Sequence, residues 1–445
     1  MAEFLTSQAE DFAGWYNDVV RKADLADYSP VRGCMVIKPY GFRLWELMVA
    51  EMDRRIKEAG VENAYFPLFI PESFIKREAQ HVEGFAPELA VVTIGGGEAL
   101  AEPLIVRPTS ETIIGEMFKQ WIQSYRDLPL LINQWANVVR WEMRPRLFLR
   151  TLEFLWQEGH TAHRDAEDCE NFTLKALEIY RSFMHEHLAI PVIVGEKTAN
   201  ERFAGADKTY TCEGVMRNGW ALQMGTSHNL GENFAKAFEI KFLDDDGKEK
   251  YAWTTSWGTS TRMVGGVVMA HGDEKGLILP PSIAPIQVVI VPIYKTDEER
   301  AKVGEMACKV TGILNKLNVR SKYDQRDGLT PGFKYNDWEM RGVPLRIEIG
   351  PKDVETESIC LVPRAEDGGG KPQKLFVPLN EAECEILKLL RRTQESIFNN
   401  AVAFRNERIK SVDTWDDFVS AIESGFWAFA HWDGTGETEM QIKEE

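Results

Sequence analysis

A chain of 445 residues, 44% hydrophobic and 27% charged, has the make-up of a globular protein with two or three domains and sizeable cores. Its net charge of −17 argues against nucleic-acid binding by bulk attraction and leaves local basic patches as a route to RNA. Apolar runs such as 286–293 are too short to cross a bilayer and no secretory leader is evident. Six scattered cysteines without a CxxC pair fit a reducing cytoplasm, not a disulfide framework or a cysteine metal site.

Residues up to Pro30 read as an amphipathic arm with little chemistry, and 33–41 as a strand and turn. Over 42–59, Trp45, Met48, Val49, Met52 and Ile56 recur at helical spacing, and Gly60 supplies the stop. A strand over 61–66 ends at Pro67. After Gly84-Phe85-Ala86-Pro87 comes a hairpin, 91–94 and 104–107. Its glycine triplet 95–97 lacks the strand–GxGxxG–helix setting of a phosphate loop. Arg107-Pro-Thr-Ser-Glu-Thr112 has the spacing of a helix cap. Read as a site, Thr109 and Glu111 instead offer acceptors for an ammonium group.

The stretch 138–160 carries most of the chemistry. At a period of two, Val138, Arg140 and Glu142 share a strand face; after the basic loop 144–146, Arg150, Leu152, Phe154, Trp156, Glu158 and His160 share another. A core face would read Val, Ile and Leu, and a solvated face has no need of Trp. Arginine forks beside aromatic rings suit an anionic, planar ligand, whereas the bland alternative is a strand pair laced with salt bridges. His160-x-x-His163 and His185-x-His187 have no third metal ligand at a believable spacing. A helix over 172–187 and a strand over 191–196 follow. An apolar strand then brings Gln223, Thr226, Ser227 and His228 to its end, and Arg262 opens an apolar, glycine-containing helix. An arginine there opposes the helix dipole and favours an anionic partner.

Pro280, Pro281 and Pro285 mark a boundary. Beyond it, strand 286–293, helix 297–317, strand 319–324, helix 332–341 and strands 343–349 and 359–363 predict a small α/β domain with a parallel or mixed sheet. The expected division is 1–281, 282–390 and a C-terminal α/β segment 391–445, in an α+β protein whose first domain rests on an antiparallel sheet.

Together these residues resemble a class II aminoacyl-tRNA synthetase, specifically a prolyl-tRNA synthetase of the archaeal and eukaryotic-like type. The helix–strand ending at Pro67 resembles motif 1, the dimerisation element. Arg140-Trp-Glu142 with its loop and return strand resembles motif 2, and 258–268 around Arg262 resembles motif 3. The family blocks RPTSET (107–112), FLWQEGHT (154–161), GTSHNLG (225–231) and HGDEKGLILPP (271–281) are more specific, and the resemblance spans essentially the whole chain.

The resemblance implies ATP-dependent activation of L-proline to prolyl-adenylate and transfer to tRNA(Pro), by a cytoplasmic homodimer without membrane association. Arg140, Arg150 and Arg262 would be catalytic; Arg140, Glu142, Gln223, Thr226 and Arg262 would bind ATP with its Mg2+. Proline would meet Phe85, Thr109, Glu111, Arg150, Trp156, Glu158, His160 and His228, with Arg150 on its carboxylate. Glu339, Arg346, Lys352 and Asp353 would read the anticodon guanines. Between motifs 2 and 3 there is no room for the bacterial editing domain, so editing is expected in trans. Many relatives place zinc cysteines near His431-Trp432; here the chain reads Asp433-Gly-Thr-Gly-Glu, so no zinc is expected and the C-terminal domain reads as incomplete. A catalytically inactive paralogue that binds tRNA would shed Arg140, Arg150 or Arg262, and all three are present. An adenylate-forming ligase without a tRNA substrate would lack the second domain. A different amino-acid specificity within the class is opposed by RPTSET and FLWQEGHT. No GxxxxGK[ST] occurs, which excludes a P-loop enzyme.

Overall fold

The computed structural model describes residues 5–76, 89–365 and 373–444. The first helix, Phe12–Lys22, buries Trp15, Tyr16, Val19 and Val20 and is capped by Asp11, which accepts the Gly14 N–H. Strands β1 (Ala26–Tyr28) and β2 (Met35–Ile37) pair behind it. This N-terminal segment is therefore part of the main core. Tyr16 O–H donates to the Leu147 carbonyl (2.6 Å), directly after the basic loop 144–146 of the segment resembling motif 2. The helix carrying the Trp45 stripe spans Pro39–Glu58. It starts earlier than its apolar period suggests because proline in a first turn needs no N–H partner and is preset in φ.

Next come β3 (Glu62–Asn63) and β4 (Phe69–Pro71), then β5 (Ala90–Gly95) and β6 (Glu98–Val106), which form the expected hairpin and join β4 in a separate three-stranded sheet. The main sheet collects β7 (Leu130–Val139), β8 (Glu153–His163), β9 (Ile193–Glu196), β10 (Lys208–Val215) and β11 (Ala221–Gly231). After the small hairpin β12 (Lys241–Leu243) and β13 (Glu249–Tyr251), β14 (Trp253–Ser260) enters at its centre. Its order is β3-β7-β8-β14-β11-β10-β9, antiparallel except for β3 against β7.

One face of this sheet is covered by helix Ala166–Glu186, which buries Phe172, Tyr180, Phe183 and Met184, and by Pro39–Glu58 beyond it. The packing is close enough to dictate sequence: a Cβ on Gly159 would lie 2.1 Å from the Trp257 indole. The opposite face carries the candidate site.

Strand β7 ends at Val139, so Arg140 and Glu142 stand in a loop, not on a strand face. On the edge away from β8 the Val139 N–H bonds the Arg107 carbonyl (3.1 Å), while Val139 still pairs with Glu153. The loop closes where Arg140 N–H reaches Leu152 O at 2.8 Å. Arg150 and Leu152 likewise precede β8.

The second sheet contains β15 (Val288–Pro292), β16 (Ser321–Tyr323), β17 (Leu345–Ile349), β18 (Ser358–Pro363) and β19 (Leu375–Pro378), in the order β16-β15-β17-β18-β19. Its first three strands are mutually parallel and β18 and β19 are antiparallel, the mixed sheet expected. Helices Asp297–Lys316 and Ala382–Arg408 close its core. The latter, 27 residues long, continues past position 390; Gln394 Nε2 donates to the Glu186 carbonyl (2.8 Å), reaching the first domain. A parallel pair, β20 (Ile409–Ser411) and β21 (Trp427–Phe429), and helices Trp415–Glu423 and Gly436–Glu444 end the described chain. The domains also meet where Arg364 forks onto Asp273 at 2.9 and 2.6 Å. No described helix is long and apolar enough to cross a membrane.

Candidate active site

On β8, alternation sends Phe154, Trp156, Glu158 and His160 to one face, where they line a cavity of about 290 Å³. Gln157 and His163 go to the other face. Gln157 accepts from Tyr180 O–H (2.5 Å), and His163 sits beside Phe172 and bonds Asp168 (2.7 Å). His160 and His163 thus face opposite sides of one strand and do not form a metal pair. Among the described residues no group of three or more His, Cys, Asp or Glu has the geometry to hold a metal.

Thr109 and Glu111 enter the cavity from the segment after β6, with the Thr109 hydroxyl bonded to the Glu111 carboxylate. Ser110 stands at the cap position of helix Glu111–Trp121 but makes no side-chain cap bond; its hydroxyl donates to Glu158 at 2.6 Å. The block is therefore built for the cavity, not for the helix end. Glu158 is only 2% exposed and also receives Gln134 Nε2 (2.8 Å) and pairs with His160 Nε2 (3.0 Å). Burial pulls the His160 imidazole down, but the Glu158 hydrogen bond and the Glu111 and Glu158 charges outweigh it and leave its pKa raised.

Strand β11 contributes Gln223, Thr226 and His228. Simple alternation puts Gln223 and Thr226 on opposite faces. A bulge supplies the missing step: Gly225 pairs with Cys212 and Gln223 with Glu213, so Met224 is the extra residue and the face switches there. Ser227 points away and bonds the Thr173 carbonyl at 2.7 Å. Burial pushes His228 down to about 4, so its imidazole is neutral at pH 7. Its Nδ1 meets the Thr209 hydroxyl at 2.9 Å, and its ring lies against Phe203 at 4.6 Å.

Two arginines border this cavity and a second of about 170 Å³ beside it. Arg140 is anchored by Nε to the Pro108 carbonyl (3.1 Å) and lies over the Phe154 and Trp156 rings at 5.6 and 5.5 Å. Arg262 opens helix Arg262–His271 and donates to the Gln223 carbonyl (3.3 Å). Burial holds its pKa below the ordinary guanidinium value, with the Glu213 charge opposing. No carboxylate among the described residues forms an ion pair with it, so a desolvated cation faces the cavities. Arg150 lines only the outer cavity, paired with Glu142 at 2.6 Å. Trp156 and His160 line the inner cavity, and the two cavities share Arg140, Phe154, Ser260 and Arg262. Phe85 lies outside the described residues.

The sequence reading missed the wall made by the connection from β9 to β10, where Lys197, Glu201 and Phe203 reach the inner cavity. An irregular connection has no periodicity to signal such a role. It also missed Ser110, Gln134 and Thr209, which hold the lining side chains.

In the second domain, Arg346 bonds Glu339 (3.1 Å) and Glu348 (3.0 Å) and stacks over Tyr335 at 4.1 Å. Asp353 accepts the Gly350 N–H (2.7 Å) at the start of helix Pro351–Glu355, and Lys352 is exposed. Glu339 and Arg346 are joined directly; Asp353 is engaged in its own helix start.

Residues 97–271 match the tRNA synthetase class II core domain (G, H, P, S and T), and 287–389 match the anticodon binding domain. With the antiparallel sheet and its arginine-bordered cavities, these matches define a class II aminoacyl-tRNA synthetase. Among relatives, proline--tRNA ligase 2 of Rhodococcus jostii (strain RHA1) is 56% identical over 439 residues, 99% of this chain and 90% of the relative. Proline--tRNA ligase of Chloroherpeton thalassium is 55% identical over 446 residues, 100% of this chain and 91% of the relative. The crystal structure of prolyl-tRNA synthetase from Cryptosporidium parvum, complexed with halofuginone and AMPPNP, superposes with a TM-score of 0.92. It is 41% identical, over 99% of this chain and 88% of that one. The chain belongs to the proline--tRNA ligase family.

Proposed function

We propose that the inner cavity holds L-proline and the outer cavity the triphosphate of ATP. The observation that carries this is the meeting of an ammonium-accepting pair, Thr109 and Glu111, with the rings of Trp156, His160 and His228 beside two buried-side arginines. The secondary ammonium of proline bonds Thr109 and Glu111, and the pyrrolidine ring lies among the rings. Glu158, fully engaged by Ser110, Gln134 and His160, positions this wall. Arg140, which borders both cavities, takes the proline carboxylate; Arg150 with Glu142 and Arg262 face the phosphates. Gln223 and Thr226 bond the nucleoside.

The carboxylate attacks the α-phosphorus, pyrophosphate departs, and the prolyl group of the adenylate passes to the terminal ribose hydroxyl of tRNA(Pro). No protein nucleophile is required, so the rate comes from positioning and from arginines preorganised for developing phosphate charge. The residues present fit magnesium carried chiefly by the phosphates, with Glu142 and Glu213 as neighbouring carboxylates; bound there it neutralises phosphate charge. Glu339, Arg346, Lys352 and Asp353 contact the anticodon, arginine and lysine suiting guanine acceptors and carboxylates its amino edge. The segment resembling motif 1, which ends at Pro67, forms the interface of a homodimer. The setting is the cytoplasm. Alanine is discriminated weakly, since each missing methylene is worth about 1–3 kcal/mol, and its removal from tRNA occurs in trans.

The test is amino-acid-dependent ATP–pyrophosphate exchange with proline, alanine, threonine and histidine. Strongest exchange with proline, its KM raised by Trp156→Ala or Thr109→Val, is the expected result. Equal exchange with threonine or histidine would overturn the pocket assignment.

A further inference from the structure

The C-terminal helix Gly436–Glu444 touches the catalytic domain at one place, the connection that walls the inner cavity. Glu439 is buried to 7% exposure although it lies on a terminal helix. Its carboxylate accepts from Thr198 Oγ1 (2.6 Å) and Asn200 Nδ2 (2.9 Å). One turn on, Lys443 pairs with Glu201 at 2.6 Å. The hydrogen bond from Thr198 is the main reason the Glu439 carboxyl stays below the usual carboxylate range.

Thr198 and Asn200 are interleaved in the chain with Lys197, Glu201 and Phe203, which line the cavity, and Glu201 does both, lining the cavity and pairing with Lys443. Within the connection, the backbone bonds Lys197 N–H to Thr209 O at one end and Asp207 N–H to Asn229 O at the other. Between these ends the side-chain anchors of 198–201 run outward to the C-terminal helix. That helix is itself held by the preceding segment, whose Trp427 Nε1 donates to the Gly219 carbonyl (2.9 Å) at the β10–β11 turn.

We propose that Glu439, with Lys443 in support, is a positioning residue for proline binding. It braces the 197–203 wall from outside, so that Phe203 stays against His228 and the ring pocket keeps its shape. The triphosphate lies in the outer cavity beyond Arg140, and the nucleoside is held by Gln223 and Thr226 of β11 and not by the 197–203 wall, so the brace acts on the amino acid. The C-terminal segment thereby sets affinity for the amino acid and leaves that for ATP unchanged. This rests on the reading of the inner cavity as the proline site.

The experiment is proline-dependent ATP–pyrophosphate exchange by the full chain carrying Glu439→Ala. The proline KM should rise at least about fivefold, with the ATP KM and kcat within about twofold, as expected when binding shared by the ground and transition states is lost. Glu439→Gln, which keeps one acceptor for Thr198, should fall between. Thr198→Ala/Asn200→Ala removes the brace from the other side and should reproduce the effect without adding to it. If Glu439→Ala folds poorly, this pair decides. An unchanged proline KM, or equal rises for proline and ATP, overturns the proposal.

Amide hydrogen exchange separates failure of the brace from failure of the pocket reading. Faster exchange confined to 197–207 in Glu439→Ala is expected, and none overturns the brace. If Trp156→Ala also leaves the proline KM unchanged, the pocket reading has failed, and the exchange result alone then judges the brace.

Discussion

Strands β8 and β15 both lie inside a sheet, with a neighbour on each side, yet they are made of opposite materials. β15 reads Val-Val-Ile-Val-Pro, buried at every position. β8 is buried from Gln157 to His163 and includes Gln157, Glu158, His160, Thr161 and His163. An apolar strand gains from burial in any orientation, at roughly 25 cal/mol per Å² of apolar surface. A polar strand is tolerated only where each group finds a partner, since an unsatisfied one costs about 1–3 kcal/mol. β8 therefore depends on a specific set of neighbours: Ser110, Gln134 and His160 around Glu158, Tyr180 on Gln157, and Asp168 on His163. The first sheet gives up inexpensive stability in β8 to keep a charged cavity; the second keeps that stability in β15 and pairs its buried charges, such as Glu348 with Arg346 and Lys374, on other strands and segments.

The sharpest way to test this contrast is Arg262→Ala. Pyrophosphate exchange should fall by about 10²–10³, the range for losing one preorganised charge-stabilising group, whereas thermal stability should hold or rise because a desolvated cation is gone. A large drop in melting temperature would show that the arginine serves the fold.

Ile290→Ala in β15 should have the converse result. A cavity in that core should cost about 2–5 kcal/mol in denaturant unfolding, while exchange per folded molecule stays near the wild-type value. Parallel loss of exchange would mean that the two sheets are not independent in this respect.

Acidification separates them again. His228 and His271 are each pushed to about 4 by burial, below the ordinary 6.5. A depressed folded pKa gives stability that is present above the unfolded value and lost as pH falls toward the folded one. The window is thus pH 6.5 down to 4, worth up to about 3 kcal/mol per histidine. His160, raised, acts with the opposite sign and loses its contribution as pH rises through its folded value. Residues 282–430 contain no histidine. Unfolding followed at tryptophans of each domain should show the first domain weakening in that window while the second holds.

The smallest effects belong to the second domain's surface. Arg346→Ala should reduce tRNA charging by about 10- to 100-fold, as for a lost base contact of 1–3 kcal/mol, and leave pyrophosphate exchange unchanged. Lys352→Ala, at an exposed position, should change charging by only about two- or threefold.

The same contrast explains what could be read in advance. The second sheet was legible because apolar strands alternate with helices of ordinary length, and its mixed pairing follows. Trp156, Glu158 and His160 were legible because the strand period places them on one face. The end of β7 was not, since the alternation runs on to Glu142 and only the pairing with Leu152 and Glu153 on the return segment marks where the ladder stops. The shared face of Gln223 and Thr226 depends on a bulge at Met224 that leaves no compositional mark. The wall at 197–203 is bonded by a helix more than 230 residues later, which no local pattern announces. Local pattern records what neighbours in the chain dictate; these three features join segments that lie apart in the chain.

The helix Ala382–Arg408 leaves the second domain and delivers the chain back to the first, where Gln394 and Arg405 bond the carbonyls of Glu186 and Pro191. The second domain is thus spliced into the molecule at both ends, with the 281–286 linker as its entrance and a rod of about 40 Å as its exit. A single proteolytic nick in the linker would not release it. The fragments would stay bolted together through the rod, and the domain is better regarded as a cassette than as an appendage: exchanging it for another reader requires matching two junctions, and the second must preserve the angle of a helix.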